Sequence, residues 1–458
     1  MSRPTIFRQE AFMRHSLEWS HAFTGRMTPA AMEQARPKYP ALALHLASEV
    51  QAGRLPCLSL PFRADLEQQL TALLPLLKRF KHMLVLGIGG SALGARALQK
   101  AFFPAQDRPE HGGPWLWIAD NVDADSLDAY LAKLPPEQTL VVPISKSGGT
   151  IETLAQYFLA RQWLQESLGA GWNEHMLVVT DAEQGFLREE AAHNALAALP
   201  VPDHLGGRYS ALSAVGLLPA AFLGIDWKAL LAGAWDVTQN LAEQPAVVEK
   251  HPALSLATWN LALANTGYSQ LIFFSYIPLW ATIGPWFCQL WAESLGKEGK
   301  GTMPIAAVGV TDQHSVNQMF LDGPRDKGCL FLTCDGLARG RYFPDNLPGQ
   351  WRWLQGKHFG ELLDAEALGT CMALTHSKTP LVRVHMADSS ERAAGALMAL
   401  LEAATLLTGW LMDINPIDQP AVELGKRLAN ARLGAPGYTT EEADLARFLS
   451  LPSRKEAF

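Results

Sequence analysis

An apolar run, Thr139-Leu-Val-Val-Pro-Ile144, stops at Ser145-Lys-Ser-Gly-Gly-Thr150, and apolar residues resume at helical spacing from Ile151 to Leu164. The pattern is a buried strand, a tight hydroxyl-rich turn and a helix N-terminus. Free backbone N–H groups point out of a first helical turn, and the helix dipole favours negative charge there. Ser145, Ser147, Thr150 and Thr153 add hydroxyl donors, and Lys146 adds a charge. A phosphate monoester is the natural guest of such a turn. The plainer reading is an N-capped helix after a strand.

The strand-then-helix unit recurs. Met83–Ile88 runs into Gly89-Gly-Ser-Ala-Leu-Gly94 and a helix, Trp115–Ala119 is the next strand, and Met176–Thr180 ends in a turn at Asp181. Asp203–Tyr209 reads as a loop and Ala211–Leu223 as a helix. After a charged, polar segment around Asp226–His251, a second set contains Gln270–Tyr276, Pro304–Val308, Gly328–Thr333 and Pro380–Val384. Short apolar strands alternating with helices predict an α/β fold, here two parallel sheets in tandem, each covered on both faces. From Asn415 onward the patterns are mostly helical.

The 458 residues suffice for two or three domains. A net charge of -7 argues against a nucleic-acid partner and gives no support for an anionic membrane. The five cysteines form no C-x-x-C pair, so neither a disulfide framework nor a zinc site is expected. The first residues lack an apolar signal core, which makes a reducing cytoplasm the simplest home. Pro252–Ala292 carries no charge, but Asn260, Asn265, Gly267, Pro278, Gly284 and Pro285 divide it. It reads as a helix over Ala253–Leu263, the strand Gln270–Tyr276 and a helix from about Gly284 to Leu295, rather than as a membrane span.

Several segments carry chemistry. Gly87-Ile-Gly-Gly-Ser-Ala92 fits a loose dinucleotide fingerprint, with Asp120 closing the next strand where a ribose-binding acid sits, so a nicotinamide dehydrogenase is a rival reading. The same glycines let backbone approach a phosphosugar, and Ser91 adds a hydroxyl. Gly206-Gly-Arg-Tyr-Ser210 puts Arg208 in a glycine-flanked loop. Gln289 and Glu293 lie four apart, on one helix face. Glu293 follows the uncharged stretch, which predicts a place at the edge of an apolar pocket, where burial raises a carboxyl pKa and suits it to proton transfer. The plainer reading is a helix-end glutamate paired with Lys297. His314 falls in the polar loop Thr311–Gln318, and Asn415–Lys426 enters a helix with Asp418 near its cap, Pro420 in the first turn and Lys426 two turns down. Taken singly, an exposed arginine, a structural histidine and a solvated lysine fit as well.

Taken together, Gly-Ile-Gly-Gly-Ser, Ser-Lys-Ser-x-x-Thr, Gly-Gly-Arg-Tyr-Ser, Gln-x-x-x-Glu-Ser-x-Gly-Lys, the Gln-His-Ser loop and Asp-Gln-Pro-x-Val-Glu-Leu-Gly-Lys resemble the glucose-6-phosphate isomerase family, in its order, from Gly87 to Lys426. Asn121-Val-Asp123 is similar too, whereas Leu295 stands where many members have Asn. The resemblance implies two sugar-isomerase (SIS) domains, each a mainly parallel sheet flanked by helices. The expected limits are a helical segment over 1–45, domains over 46–226 and 227–412, and a helical C-terminal segment over 413–458. It implies reversible isomerisation of glucose 6-phosphate and fructose 6-phosphate, in glycolysis and gluconeogenesis, by a homodimer with shared sites and neither metal nor organic cofactor. Gly90, Ser91, Ser145, Lys146, Ser147, Thr150 and Thr153 would hold the sugar phosphate, and Gln289 and Gln419 the sugar oxygens. Glu293 would move the proton between C2 and C1, and Arg208 would stabilise the cis-enediol(ate). His314, reaching the neighbouring subunit, and Lys426 would open the ring. A non-catalytic phosphosugar-binding SIS protein is the alternative.

Overall fold

The computed structural model describes residues 15–60, 64–108 and 110–457. The start of the chain, on which the reading of a missing signal rests, lies outside these. The described strands are β1 (Ser16–His21), β2 (His82–Leu86), β3 (Trp115–Ala119), β4 (Thr139–Ser145), β5 (Leu177–Asp181), β6 (Ala197–Val201), β7 (Gln270–Ser275), β8 (Met303–Val308), β9 (Lys327–Cys334) and β10 (Leu381–Met386). They form two five-stranded sheets, ordered β3-β2-β4-β5-β6 and β1-β10-β9-β7-β8.

The first sheet is parallel throughout, with Leu84 level with Trp117 on one side and Val141 on the other. All seven residues of β4 are buried, which is why its sequence is apolar without alternation. Counted within the unit, the strand order is 2-1-3-4-5, so the winding reverses between β2 and β4. Loops that leave a parallel sheet at such a reversal form its ligand crevice. Here they are Gly87–Ser91 and Ser145–Thr150, both singled out by sequence.

The second sheet is parallel except at β1, which pairs antiparallel to β10 (Leu17 opposite Val384). The segment 1–45 is therefore not simply helical. Leu17 and Trp19 alternate with polar residues and pack on the core, and Glu18 bonds Arg383 across the pair at 2.6 Å. The helix Tyr39–Gln51 crosses the expected limit at 45/46. The expected polar break at Asp226–His251 is mostly the helix Trp227–Glu243, amphipathic and capped by Asp226, with Trp227, Leu230, Leu231 and Leu241 buried. It packs backbone to backbone on the helix Glu391–Leu411. A Cβ on Gly233 would meet Arg392 O at 1.8 Å, and one on Gly395 would meet Leu230 O at 1.9 Å. The latter helix is long and apolar enough to span a bilayer, yet 89% of its apolar window is buried inside the protein. One apolar core joins residues facing both sheets, from Met83 and Val142 to Leu330 and Val384. Through it, the helix Ile283–Leu295 of the second unit packs on the helix Leu93–Phe102 of the first.

Candidate active site

The loop after β2 lies directly on the Gly206–Ser210 loop. A Cβ on Gly90 would sit 2.3 Å from the Gly207 carbonyl carbon, so only glycine permits this approach. Gly89 has φ +56°, and a Cβ there would meet the Gln289 amide nitrogen at 3.0 Å.

Arg208, in the facing loop, is held by its own hydrogen bonds. Its side chain is 1% exposed. Nε donates to Ser294 Oγ (2.7 Å), and Nη2 to the carbonyls of Pro416 (2.7 Å) and Asp418 (3.0 Å). Nη1 faces outward, to Gln419 Oε1 (2.7 Å) and Glu293 Oε2 (3.3 Å). Tyr209 Oη shares Ser294 Oγ at 3.0 Å, and burial pushes its phenol well above the ordinary range. Sequence reasoning missed Ser294 and Tyr209 as holders of Arg208, although both lie inside the quoted motifs.

Glu293 sits near the end of the helix Ile283–Leu295, which buries Trp286, Phe287, Leu290 and Trp291. Its Oε1 accepts from Gln289 Nε2 at 2.9 Å, as the four-residue spacing predicts. The expected apolar pocket is not what surrounds it. Its side chain is 34% exposed, between a guanidinium and a carboxamide, because the apolar residues occupy the other faces of the helix. Nor does it pair with Lys297, whose Nζ binds Asp418 Oδ1 at 2.9 Å and the Asn415 carbonyl. Burial lowers the Lys297 pKa, and Asp418 opposes the shift.

In the loop after β4, Ser145 Oγ bonds Thr150 Oγ1 at 2.9 Å and lies 3.5 Å from Ser147 Oγ. Thr150 occupies the N-cap position of the helix Ile151–Leu168 but makes no side-chain cap bond, which leaves the first-turn N–H groups for an incoming anion. Lys146 is half-buried, and desolvation lowers its pKa against the pull of Asp203 and Asp181. Ser91 is half-buried in the single turn Gly89–Ser91. Thr153 departs from expectation. Three residues into the helix it faces inward, 1% exposed, with its hydroxyl sealed from solvent and unpartnered.

The dinucleotide rival loses its acid. Asp120 is held by Arg96, Nε to Oδ2 at 2.9 Å and Nη2 to Oδ2 at 2.7 Å, so the carboxylate is engaged where a ribose would need it. Among the described residues no group of three or more His, Cys, Asp or Glu could hold a metal ion.

Two expected residues lie apart. His314 is exposed, in the short turn Thr311–His314 beyond the end of β8. The partners of Glu293, Gln289 and Arg208, include no residue of that turn. The turn is braced by Asp312, which accepts from Val308 N and Ser315 Oγ, and by Gln313, which accepts from Tyr276 Oη (2.6 Å) and donates to Glu366 (2.8 Å). Lys426 is also exposed and pairs with Glu423 at 2.8 Å, on the helix Glu423–Arg432, rather than joining the group at Arg208.

Comparison with known proteins identifies the family. The phosphoglucose isomerase family profile matches residues 76–334 and 368–444. The glucose-6-phosphate isomerase of Rubrobacter xylanophilus is 42% identical over 361 residues, 77% of this chain and 82% of that protein. That of Carboxydothermus hydrogenoformans is 32% identical over 444 residues, 93% of this chain and 95% of that protein. A solved structure of a hypothetical protein from Thermus thermophilus superposes with TM-score 0.81 at 32% identity, covering 92% of this chain and 99% of the other. The chain belongs to the phosphoglucose isomerase family.

Proposed function

We propose that the protein interconverts glucose 6-phosphate and fructose 6-phosphate, in glycolysis and gluconeogenesis. The observation that carries this reading is Glu293, bonded to Gln289 and facing Arg208 Nη1, with Gln289 against the Gly87–Ser91 loop at the reversal point of the first sheet. The phosphate docks on the hydroxyls of Ser145, Ser147 and Thr150 and on Lys146, with Gly90 and Ser91 closing the other side. Glu293 takes the C2 proton of the open-chain aldose and returns it to C1. The negative charge that develops on the sugar oxygens faces Arg208, whose orientation is set before substrate arrives. Gln289 and Gln419 hold the sugar oxygens.

Ring opening needs an acid/base at the ring oxygen and its hydroxyl. His314 of a second subunit and Lys426 supply it in this reading. Within one chain His314 lies on an exposed turn braced by Asp312, Gln313 and Tyr276 and not among the partners of Glu293, which supports a homodimer with shared sites. We read the chain as two SIS domains over 46–226 and 227–412, flanked by 1–45 and 413–458, working in the cytoplasm.

Incubation with fructose 6-phosphate, without nicotinamide, tests the activity. Formation of glucose 6-phosphate is expected. Binding of the sugar phosphate with no turnover would leave a phosphosugar-binding protein instead.

A further inference from the structure

Residues 415–418 precede Gln419 and belong to no helix or strand. Their one internal bond runs from Ile417 N to Asn415 Oδ1 (3.0 Å). Pro416 packs on Gly409 and accepts from Tyr209 Oη (3.4 Å), Ile417 rests on the core, and two cations from other elements hold the polar groups. Arg208 Nη2 takes the Pro416 and Asp418 carbonyls, and Lys297 Nζ takes the Asn415 carbonyl and the Asp418 carboxylate. The Lys297 side chain is 11% exposed and that of Asp418 52%. Gln419 follows at once and meets Arg208 Nη1, and the turn Pro420–Val422 leads into the helix that carries Lys426.

We infer that Lys297 and Asp418 are positioning residues: their ion pair sets residues 415–418 so that the Gln419 carboxamide reaches Arg208 beside Glu293 and the Lys426 helix starts at the site. Neither residue has a part in proton transfer or phosphate binding in the reading above, on which this inference rests. Only the Asp418 end of the pair is half-exposed, and its carboxylate adds little to stability there, while Lys297 keeps the Asn415 carbonyl. Displacing a substrate-holding group by about 1 Å can cost about 10²-fold in rate. Loss of the exposed Asp418 carboxylate is therefore read in turnover more than in folding.

The test is a set of variants, Asp418→Asn, Lys297→Met, Gln419→Ala and their pairs, assayed for kcat and KM with fructose 6-phosphate and for the unfolding midpoint. Asp418→Asn is expected to lower kcat about tenfold or more, within the range that misplacement allows, at an unchanged midpoint. Gln419→Ala should then cost little further in the Asp418→Asn background, because the carboxamide is already out of place. Wild-type kcat in Asp418→Asn, or the same fold loss from Gln419→Ala in both backgrounds, would overturn the inference. If Lys297→Met unfolds, the Asp418→Asn and Gln419→Ala pair still decides. Glu293→Gln assayed alongside separates the two claims: near-normal turnover there would refute the site reading, while coupling between positions 418 and 419 judges the positioning.

Discussion

Arg208 offers Glu293 one N–H, at 3.3 Å, and commits Nε and Nη2 to Ser294 and two backbone carbonyls. The cation is thereby fixed before any charge develops opposite it. Arg208→Lys keeps the charge but loses the planar fork. The expected result is a loss of about 10²–10³-fold in kcat. A lower unfolding midpoint is also expected, since each buried acceptor left unpaired costs about 1–3 kcal/mol. Steady-state kinetics and urea unfolding check both, and an unchanged kcat would contradict the role.

Ser147→Ala with Thr150→Ala removes two hydroxyls from the loop after β4. Hydrogen bonds to a charged group contribute about 1.5–3 kcal/mol each. The loss should fall on the affinity for sugar phosphate and for inorganic phosphate, read by calorimetry. Thr153→Ala is expected to leave that affinity near normal, because its hydroxyl is sealed inside. Equal affinity in the double variant and the wild type would reduce the loop to a helix start.

The elements that position the site were legible because they are apolar and short. β2, β3, β4, β5 and β7–β10 match their runs closely. β1 and β6 were missed for different reasons. β1 alternates Leu17 and Trp19 over too few residues to stand out, and β6, Ala-Ala-Leu-Pro-Val, has no β-branched residue before Val201 and tolerates Pro200 because it lies at an edge. At the site, motifs far apart in sequence meet around Arg208, but spacing along a chain does not show which side a helix turns. Thr153 therefore faces inward, Glu293 meets a cation instead of an apolar wall, and Lys297 finds Asp418 across the fold.

His251 caps the helix Pro252–Asn265. Its Nδ1 accepts from Ala253 N (3.1 Å), so Nε2 carries the proton and donates to the Val237 carbonyl (2.8 Å). Burial lowers its pKa below the ordinary value of about 6.5, with the Val237 bond opposing. As pH falls through about 6.5 the unfolded chain binds the proton first. The stabilisation is therefore complete above that pH and is lost as pH falls toward the folded-state value. Its slope is at most about 1.4 kcal/mol per pH unit for one proton. His251→Asn, which can cap but does not titrate, should flatten the pH dependence of the unfolding midpoint between pH 5 and 7, roughly the window around that pKa. An unchanged profile would contradict this.

The proposed shared sites make a sharp demand on mixed dimers. His314→Ala and Glu293→Gln, each inactive alone, should regain activity on subunit exchange. A random mixture holds about half heterodimers, each with one intact site of two, so recovery should approach about a quarter of wild type. Proven exchange without recovery would place both residues in one subunit's site and remove the shared-site reading.

In the proposed mechanism Glu293 carries the proton between C2 and C1. Glu293→Gln keeps the shape and the Gln289 neighbour but cannot accept a proton. The decisive measurement is turnover together with exchange of the substrate's C2 hydrogen with solvent deuterium, alongside sugar-phosphate affinity. Turnover and exchange are expected to fall in parallel by at least about 10²-fold while affinity is largely kept. Near-normal exchange in the Gln variant would contradict this mechanism.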